Sequence, residues 1–359
     1  MNRSHVLITG GAGFVGSSLG LAIRGRNPEI AVTALDNLRR RGSELNLPRL
    51  AAAGIRFVHG DVRCREDLDA IAPAPDLIIE CSAEPAAQAG YSESAEYLIR
   101  TNLDGCFQCL ELARRTKADF LFLSTSRVYP YGLLNSLRFR EEESRFHLED
   151  TQPLSGASGR GISETFPLQG PRSLYGMSKL AAELMVQEYG DAYGLRWLIN
   201  RCGLLTGPWQ MGKTDQGVIV HWMAAHYFRR PLQYIGFNGS GKQVRDFLHI
   251  SDFCDLVLEQ IAAFDRFAGS VFNVGGGLEA SLSLRECTEL CRELTGNSVE
   301  VSAVEEQRRA DVRVFLTDSR RIMSGCDWRP SRDARNTLCD IFHWMRTNEQ
   351  QLHPILGRG

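Results

Sequence analysis

The residues best suited to chemistry are a tyrosine and a lysine four positions apart. In Tyr175-Gly176-Met177-Ser178-Lys179 the phenol and the ammonium fall on one face of a predicted helix. A free tyrosine, with a pKa of about 10, is a poor base at neutral pH. A positive charge beside it favours the phenolate, which makes the pair a general base for a hydroxyl proton. The hydroxyl of Thr125, expected at the end of a strand, can share that proton. Tyrosine and lysine meet at this spacing on many helices, so the weight of the pair comes from its company.

That company begins at the N-terminus. Thr9-Gly10-Gly11-Ala12-Gly13-Phe14-Val15-Gly16 lies between the first predicted strand and a helix opened by Phe14 and Val15. Glycines at 10, 13 and 16 permit a tight turn, close approach of backbone to a pyrophosphate, and close helix–strand packing. The helix start would aim free N–H groups and its positive dipole end at the phosphates. Asp36 closes the second predicted strand, 20 residues beyond Gly16, where a carboxylate can hydrogen-bond an adenosine ribose. Capping a helix is the plainer role for such an aspartate. The Asp36 carboxylate repels the extra phosphate of NADP, so NAD is the expected cofactor, with Asn37 beside Asp36 as a further cofactor-binding residue. Arg39, Arg40 and Arg41 read as a solvated loop. Asp61-Val62, after the third strand, falls at the height of an adenine.

These residues need a frame. Apolar runs at His5 to Thr9, Ala31 to Leu35, Ile55 to Val58, Asp76 to Cys81 and Phe120 to Ser124 predict buried strands. Helical patterns at Phe14 to Arg24 and Tyr97 to Arg115 alternate with them. A long, charged, Gly/Ser/Pro-rich loop is expected from Pro130 to about Pro171, then a helix over Leu174 to Tyr193 and a strand over Arg196 to Arg201. The alternation predicts an α/β fold: a Rossmann-type doubly wound parallel sheet with a smaller C-terminal α/β lobe for substrate. We place the NAD-binding domain at 1–205, with a return segment near 246–275, and the substrate lobe at 206–245 and 276–359.

Composition narrows the partners. The chain has 359 residues, 41 basic against 43 acidic, and a net charge near −2. No global positive field favours nucleic acid or an anionic membrane, and no apolar run approaches a membrane span. Met1-Asn2-Arg3-Ser4 leads straight into a strand without a signal-peptide layout, so a cytoplasmic protein is expected. Ten scattered cysteines do not make a disulfide scaffold. Cys106-Phe107-Gln108-Cys109 lies inside a predicted amphipathic helix and reads as core, as do Cys287 and Cys291. His221 and His226 are poorly spaced for one helical face, and no metal is expected.

The glycines, Asp36, Thr125, Tyr175 and Lys179 together resemble the extended short-chain dehydrogenase/reductase family of nucleotide-sugar epimerases and dehydratases. Within it, the CDP-paratose 2-epimerase group is most similar, through Asp36 to Gly42, Ser124 to Tyr129, Asp215-Gln216-Gly217 and Gly239 to Asp246. The resemblance implies Tyr175 as base, Lys179 as its electrostatic partner and ribose ligand, and Thr125 as the third catalytic hydroxyl. It implies Ala83 and Asn102 facing NAD, and Arg127, Gln216, Arg245 and Arg313 around a nucleotide-diphosphate sugar. It also implies a homo-oligomer, a dimer or tetramer. Related dehydratases carry an Asp-Glu pair where this chain has Ser126-Arg127, and arginine cannot donate the proton that expels water. Glu84-Pro85, Pro130 and Leu204 also depart from the usual pattern. C2 epimerisation of a CDP-deoxyhexose is the expected activity. Its rivals are C4 epimerisation or reduction of a UDP-, GDP- or dTDP-sugar, and a non-catalytic NAD-sensing regulator.

Overall fold

The computed structural model describes residues 3–86, 89–91, 94–213 and 216–357. Seven strands form the main sheet: β1 (His5–Thr9), β2 (Ala31–Asp36), β3 (Arg56–His59), β4 (Leu77–Glu80), β5 (Asp119–Thr125), β6 (Trp197–Cys202) and β7 (Ser270–Val274). Their order across the sheet is β7-β6-β5-β4-β1-β2-β3, and β1 runs parallel to β2 and β4, as do β2 to β3 and β4 to β5. β1, β4 and β5 are buried along their whole length, which explains their unbroken apolar runs. The order reverses between β1 and β4, and in such sheets ligands bind beyond the strand C-termini at that reversal. Thr9, Asp36, Glu80 and Thr125 all end strands.

Three helices bear on the site: α1 (Phe14–Arg26), α2 (Gly105–Thr116) and α3 (Leu174–Tyr193). α2 buries Cys106, Cys109, Leu110 and Ala113, and α3 buries Lys179, Ala182, Glu183 and Val186, each a helical-period stripe against the core. The remaining faces leave Phe107, Met177, Leu184 and Tyr193 exposed.

The chain divides into two compact units: Met1–Thr125, Leu174–Arg201 and Cys254–Phe272 in the first; Ser126–Ser173, Cys202–Phe253 and Asn273–Gly359 in the second. Residues 126–173, assigned from the sequence to the first domain, group with the second unit. In that unit Leu204–Thr206, Val244–His249, Ser281–Ser283 and Val314–Phe315 make a four-stranded sheet. Leu232–Ile235 pairs with Val301–Val304.

The helix expected from 97 to 115 is present and carries a π turn at Arg100–Asp104 ahead of α2. One expectation is corrected. The expected loop after Pro130 holds a helix at Tyr131–Asn135, a hairpin of Phe139–Glu141 with Phe146–Leu148, and a short pairing of Ala157–Ser158 with Gly161–Ile162. Leu134, Leu137, Phe146, Leu148, Ile162 and Phe166 are buried there, but their spacing follows no single period. No helix among the described residues is long and apolar enough to cross a membrane.

Candidate active site

The glycine turn is close-packed. A β-carbon on Gly16 would lie 2.3 Å from the Gly10 carbonyl oxygen, one on Gly13 3.0 Å from the same oxygen, and one on Gly11 2.6 Å from the Ala34 backbone. Gly10 has φ +63°, a left-handed conformation that glycine tolerates best. The helix start behind the turn carries no side-chain cap and no acidic residue in its first turn. Its free N–H groups therefore meet no anion from this chain's own capping residues, as a pyrophosphate site requires. Asp36 accepts hydrogen bonds from the Ala12 N–H at 3.2 Å and the Leu38 N–H at 2.8 Å. Burial raises its pKa, and those backbone donors pull against the shift. Asn46 donates to the Ala12 carbonyl at 2.9 Å and pins the turn from below. The turn, the uncapped helix start and the acid at the end of β2 fit an NAD adenosine diphosphate.

Asp61 is engaged by its own neighbours. Arg63 grips its carboxylate at 2.9 and 2.7 Å, and Asn37 donates to it at 2.9 Å. The Arg63 guanidinium holds it well below the usual carboxylate range. Arg39 is exposed, as expected of a solvated loop, and there stacks 3.7 Å above the Tyr97 ring, with Arg63 at 4.9 Å.

Tyr175 and Lys179 occupy the first turns of α3, and Thr125 closes β5, against which that helix packs. Lys179 is 2% exposed. Its ammonium sits 3.6 Å from the Glu80 carboxylate and 4.0 Å from the centre of the Phe122 ring. Burial depresses the lysine, but Glu80 and Tyr175 together hold it above its ordinary value. Burial pushes the Glu80 carboxyl up, and Lys179 draws it back. Asn102, in the π turn, receives the Glu84 N–H at 2.8 Å and donates to Ser178 Oγ at 2.9 Å, joining the Ala83 loop to α3. One turn beyond Lys179, buried Glu183 receives Ser124 Oγ and a two-pronged grip from Arg201. The helix bearing Tyr175 is thus tied to β5 and β6.

In the second unit, the Arg245 Nη2 donates to Asp311 at 2.7 Å and Nη1 to the Val244 carbonyl at 2.8 Å. Burial lowers its pKa to about 10, with Asp311 opposing and Arg127 adding to the shift. Arg127 donates to the Ala310 carbonyl at 3.0 Å. Val244–His249 and Val314–Phe315 pair in parallel, which brings Arg245 and Arg313 to one ladder. The Arg313 guanidinium lies 4.0 Å over Phe139 and 5.6 Å from both Phe146 and Phe237. Gln216 bridges Lys213 through its backbone, and its neighbours Thr214 and Asp215 lie outside the described residues. Trp222 is packed, stacked on Tyr234 and bonded to Thr288. Cys106 and Cys109 are buried thiols, and the described residues contain no group of three or more His, Cys, Asp or Glu able to hold a metal ion.

A family model described as the NAD dependent epimerase/dehydratase family matches residues 6–275. The chain belongs to that family. Its cofactor is NAD, and the resemblance read from the motifs is borne out at this level. The chain is 29% identical over 350 residues to CDP-paratose 2-epimerase of Salmonella typhi, covering 94% of this chain and 98% of that protein. It is 28% identical over 361 residues to dTDP-glucose 4,6-dehydratase of Streptomyces griseus, covering 99% and 98%. Among solved structures, UDP-glucose 4-epimerase of Thermotoga maritima with UDP-glucose superposes with a TM-score of 0.78 at 22% identity, over 96% of this chain and 99% of that one. Epimerases and dehydratases therefore match to similar degrees.

For this epimerase/dehydratase, sequence spacing indicated the glycine turn and the Tyr-Lys pair. It missed Glu80, Asn46, Ser178 and the Glu183–Arg201 pair. A glutamate ending an otherwise apolar strand and another one turn after the lysine were the available signals, but each has meaning only through a partner distant in sequence.

Proposed function

We propose that this enzyme inverts C2 of a CDP-linked deoxyhexose, interconverting CDP-paratose and CDP-tyvelose through a transient keto sugar. The observation that carries the reading is Ser126-Arg127 directly after Thr125. A 4,6-dehydratase must donate a proton to departing water, and neither residue is a suitable acid. The relative from Salmonella typhi, matched over nearly its whole length, supports the C2 assignment.

When bound, NAD supplies the reversible two-electron oxidation that turns a sugar carbinol into a ketone and back. Gly10, Gly13, Phe14 and Val15 would receive its pyrophosphate, Asp36 and Asn37 its adenosine ribose, Asp61 and Val62 its adenine, and Ala83 and Asn102 its other half. Tyr175 takes the sugar hydroxyl proton and returns it, Thr125 shares that proton, and the Lys179 charge favours the phenolate. Lys179 would also hold a ribose of the cofactor. Arg245 and Arg313 would take the nucleotide diphosphate, to which guanidinium forks are suited, with Arg127 and Gln216 as further substrate-binding residues.

The test is incubation of the purified protein with CDP-, UDP-, GDP- and dTDP-sugars, followed by NMR. The expected outcome is a C2 epimer pair from the CDP-sugar with no net NADH. Accumulating NADH, loss of water, or inversion at C4 would overturn it. Tyr175→Phe is expected to lose turnover while still binding NAD; undiminished turnover would remove Tyr175 as base.

A further inference from the structure

β4 reads Leu-Ile-Ile-Glu, three apolar residues and then a carboxylate, and the whole strand is buried. Placing an ionised carboxylate in a core is costly unless a cation meets it. Here the cation is Lys179, 3.6 Å away, both side chains being 2% exposed. The carboxylate oxygen nearest the ammonium has no hydrogen-bond partner among the described residues. We propose that Glu80 is a positioning residue that keeps the buried Lys179 an ammonium and fixes it on the Phe122 ring, so that its charge acts on Tyr175. The proposal rests on the Tyr175 base reading and gives it a second component.

The surroundings make the role specific. Lys179 meets Tyr175 on its own helix, Glu80 and Cys81 from the β4 end, Cys106 from α2, and the Phe122 face from β5; Cys109 also lies within electrostatic reach. Both α2 thiols are held far toward the neutral form by burial. Glu80 is therefore the anion able to offset the burial of Lys179 before Tyr175 ionises. With it removed, desolvation favours the neutral amine, and the base loses the charge that lowers its pKa.

The chain has four lysines, Lys117, Lys179, Lys213 and Lys242, so isotope-labelled lysine NMR can follow each ammonium in the full-length protein without substrate. Wild-type Lys179 is expected to titrate above the other three; titration below them would overturn the proposal whether or not any variant folds. In Glu80→Gln, Lys179 is expected to move below the other three, and in Glu80→Asp to return toward the wild-type position. A Lys179 titration unmoved in Glu80→Gln would overturn the role. In turnover of CDP-paratose with NAD, Glu80→Gln is expected to acquire an alkaline limb at lower pH than wild type, which generic loosening of the fold would not create. If Tyr175→Phe turns over normally, the base reading itself fails. If Tyr175→Phe is inactive and Glu80→Gln leaves the lysine titration unchanged, only the Glu80 assignment fails.

Discussion

One methyl group at Gly16 is enough to test the glycine turn. A β-carbon there would sit 2.3 Å from the Gly10 oxygen and 2.8 Å from the Gly11 Cα, so backbone must move. Gly16→Ala is expected to cost about 1–3 kcal/mol, as overpacking does, and to weaken NAD binding at least tenfold by calorimetric titration. Gly25 is the matched control. It lies in the same helix, and a β-carbon there would meet nothing within 4 Å. Gly25→Ala is expected to be neutral or to stabilise by about 0.5–1 kcal/mol. The two glycines share a residue type and differ only in surroundings. Position 16 was legible in the sequence because a turn of this kind constrains residues that are neighbours along the chain. Glu80 was not, because its importance lies in a lysine on another element.

At the scale of elements, the orientation of α3 depends on a buried ion pair. Glu183 is 0% exposed and Arg201 grips it at 2.7 and 3.0 Å. Removing one partner strands the other's charge in the core. Glu183→Ala is expected to cost about 3–5 kcal/mol in urea unfolding, with a fall in turnover as Lys179 and Tyr175 lose their alignment. The double variant Glu183→Leu with Arg201→Met removes both charges and is expected to recover most of that stability, a coupling that a double-mutant cycle measures. A double-variant loss equal to the sum of the two single losses would show the pair to be uncoupled. The strands were legible because β1, β4 and β5 are buried on both faces and so read as apolar runs. The π turn at Arg100–Asp104 was not, since a periodic stripe continues across it while Asn102 is turned to Glu84 and Ser178.

For the whole molecule, the near-balanced charge was legible but its acid response was not. Burial, with help from Arg230 and Arg308, lowers His221 to about 4. The fold favours its neutral ring, so its contribution is present above about pH 6.5 and is lost as pH falls toward 4. Asp246 works the other way. Burial raises it to about 6, so the fold gains stability as pH falls through that value toward the ordinary 3.8. Melting temperature against pH is therefore expected to fall more steeply on acidification in Asp246→Asn than in wild type, and less steeply in His221→Gln. Parallel curves for all three would refute the opposition. A different consequence follows from how the two units are threaded. Each is assembled from three stretches of chain, with five passages between them. No single cut releases either one, so truncation at any boundary leaves an incomplete core. Chimeras meant to exchange sugar preference with a relative cannot carry over a C-terminal block alone: residues 126–173, with Arg127 and the Phe139–Phe146 hairpin around Arg313, must travel with it.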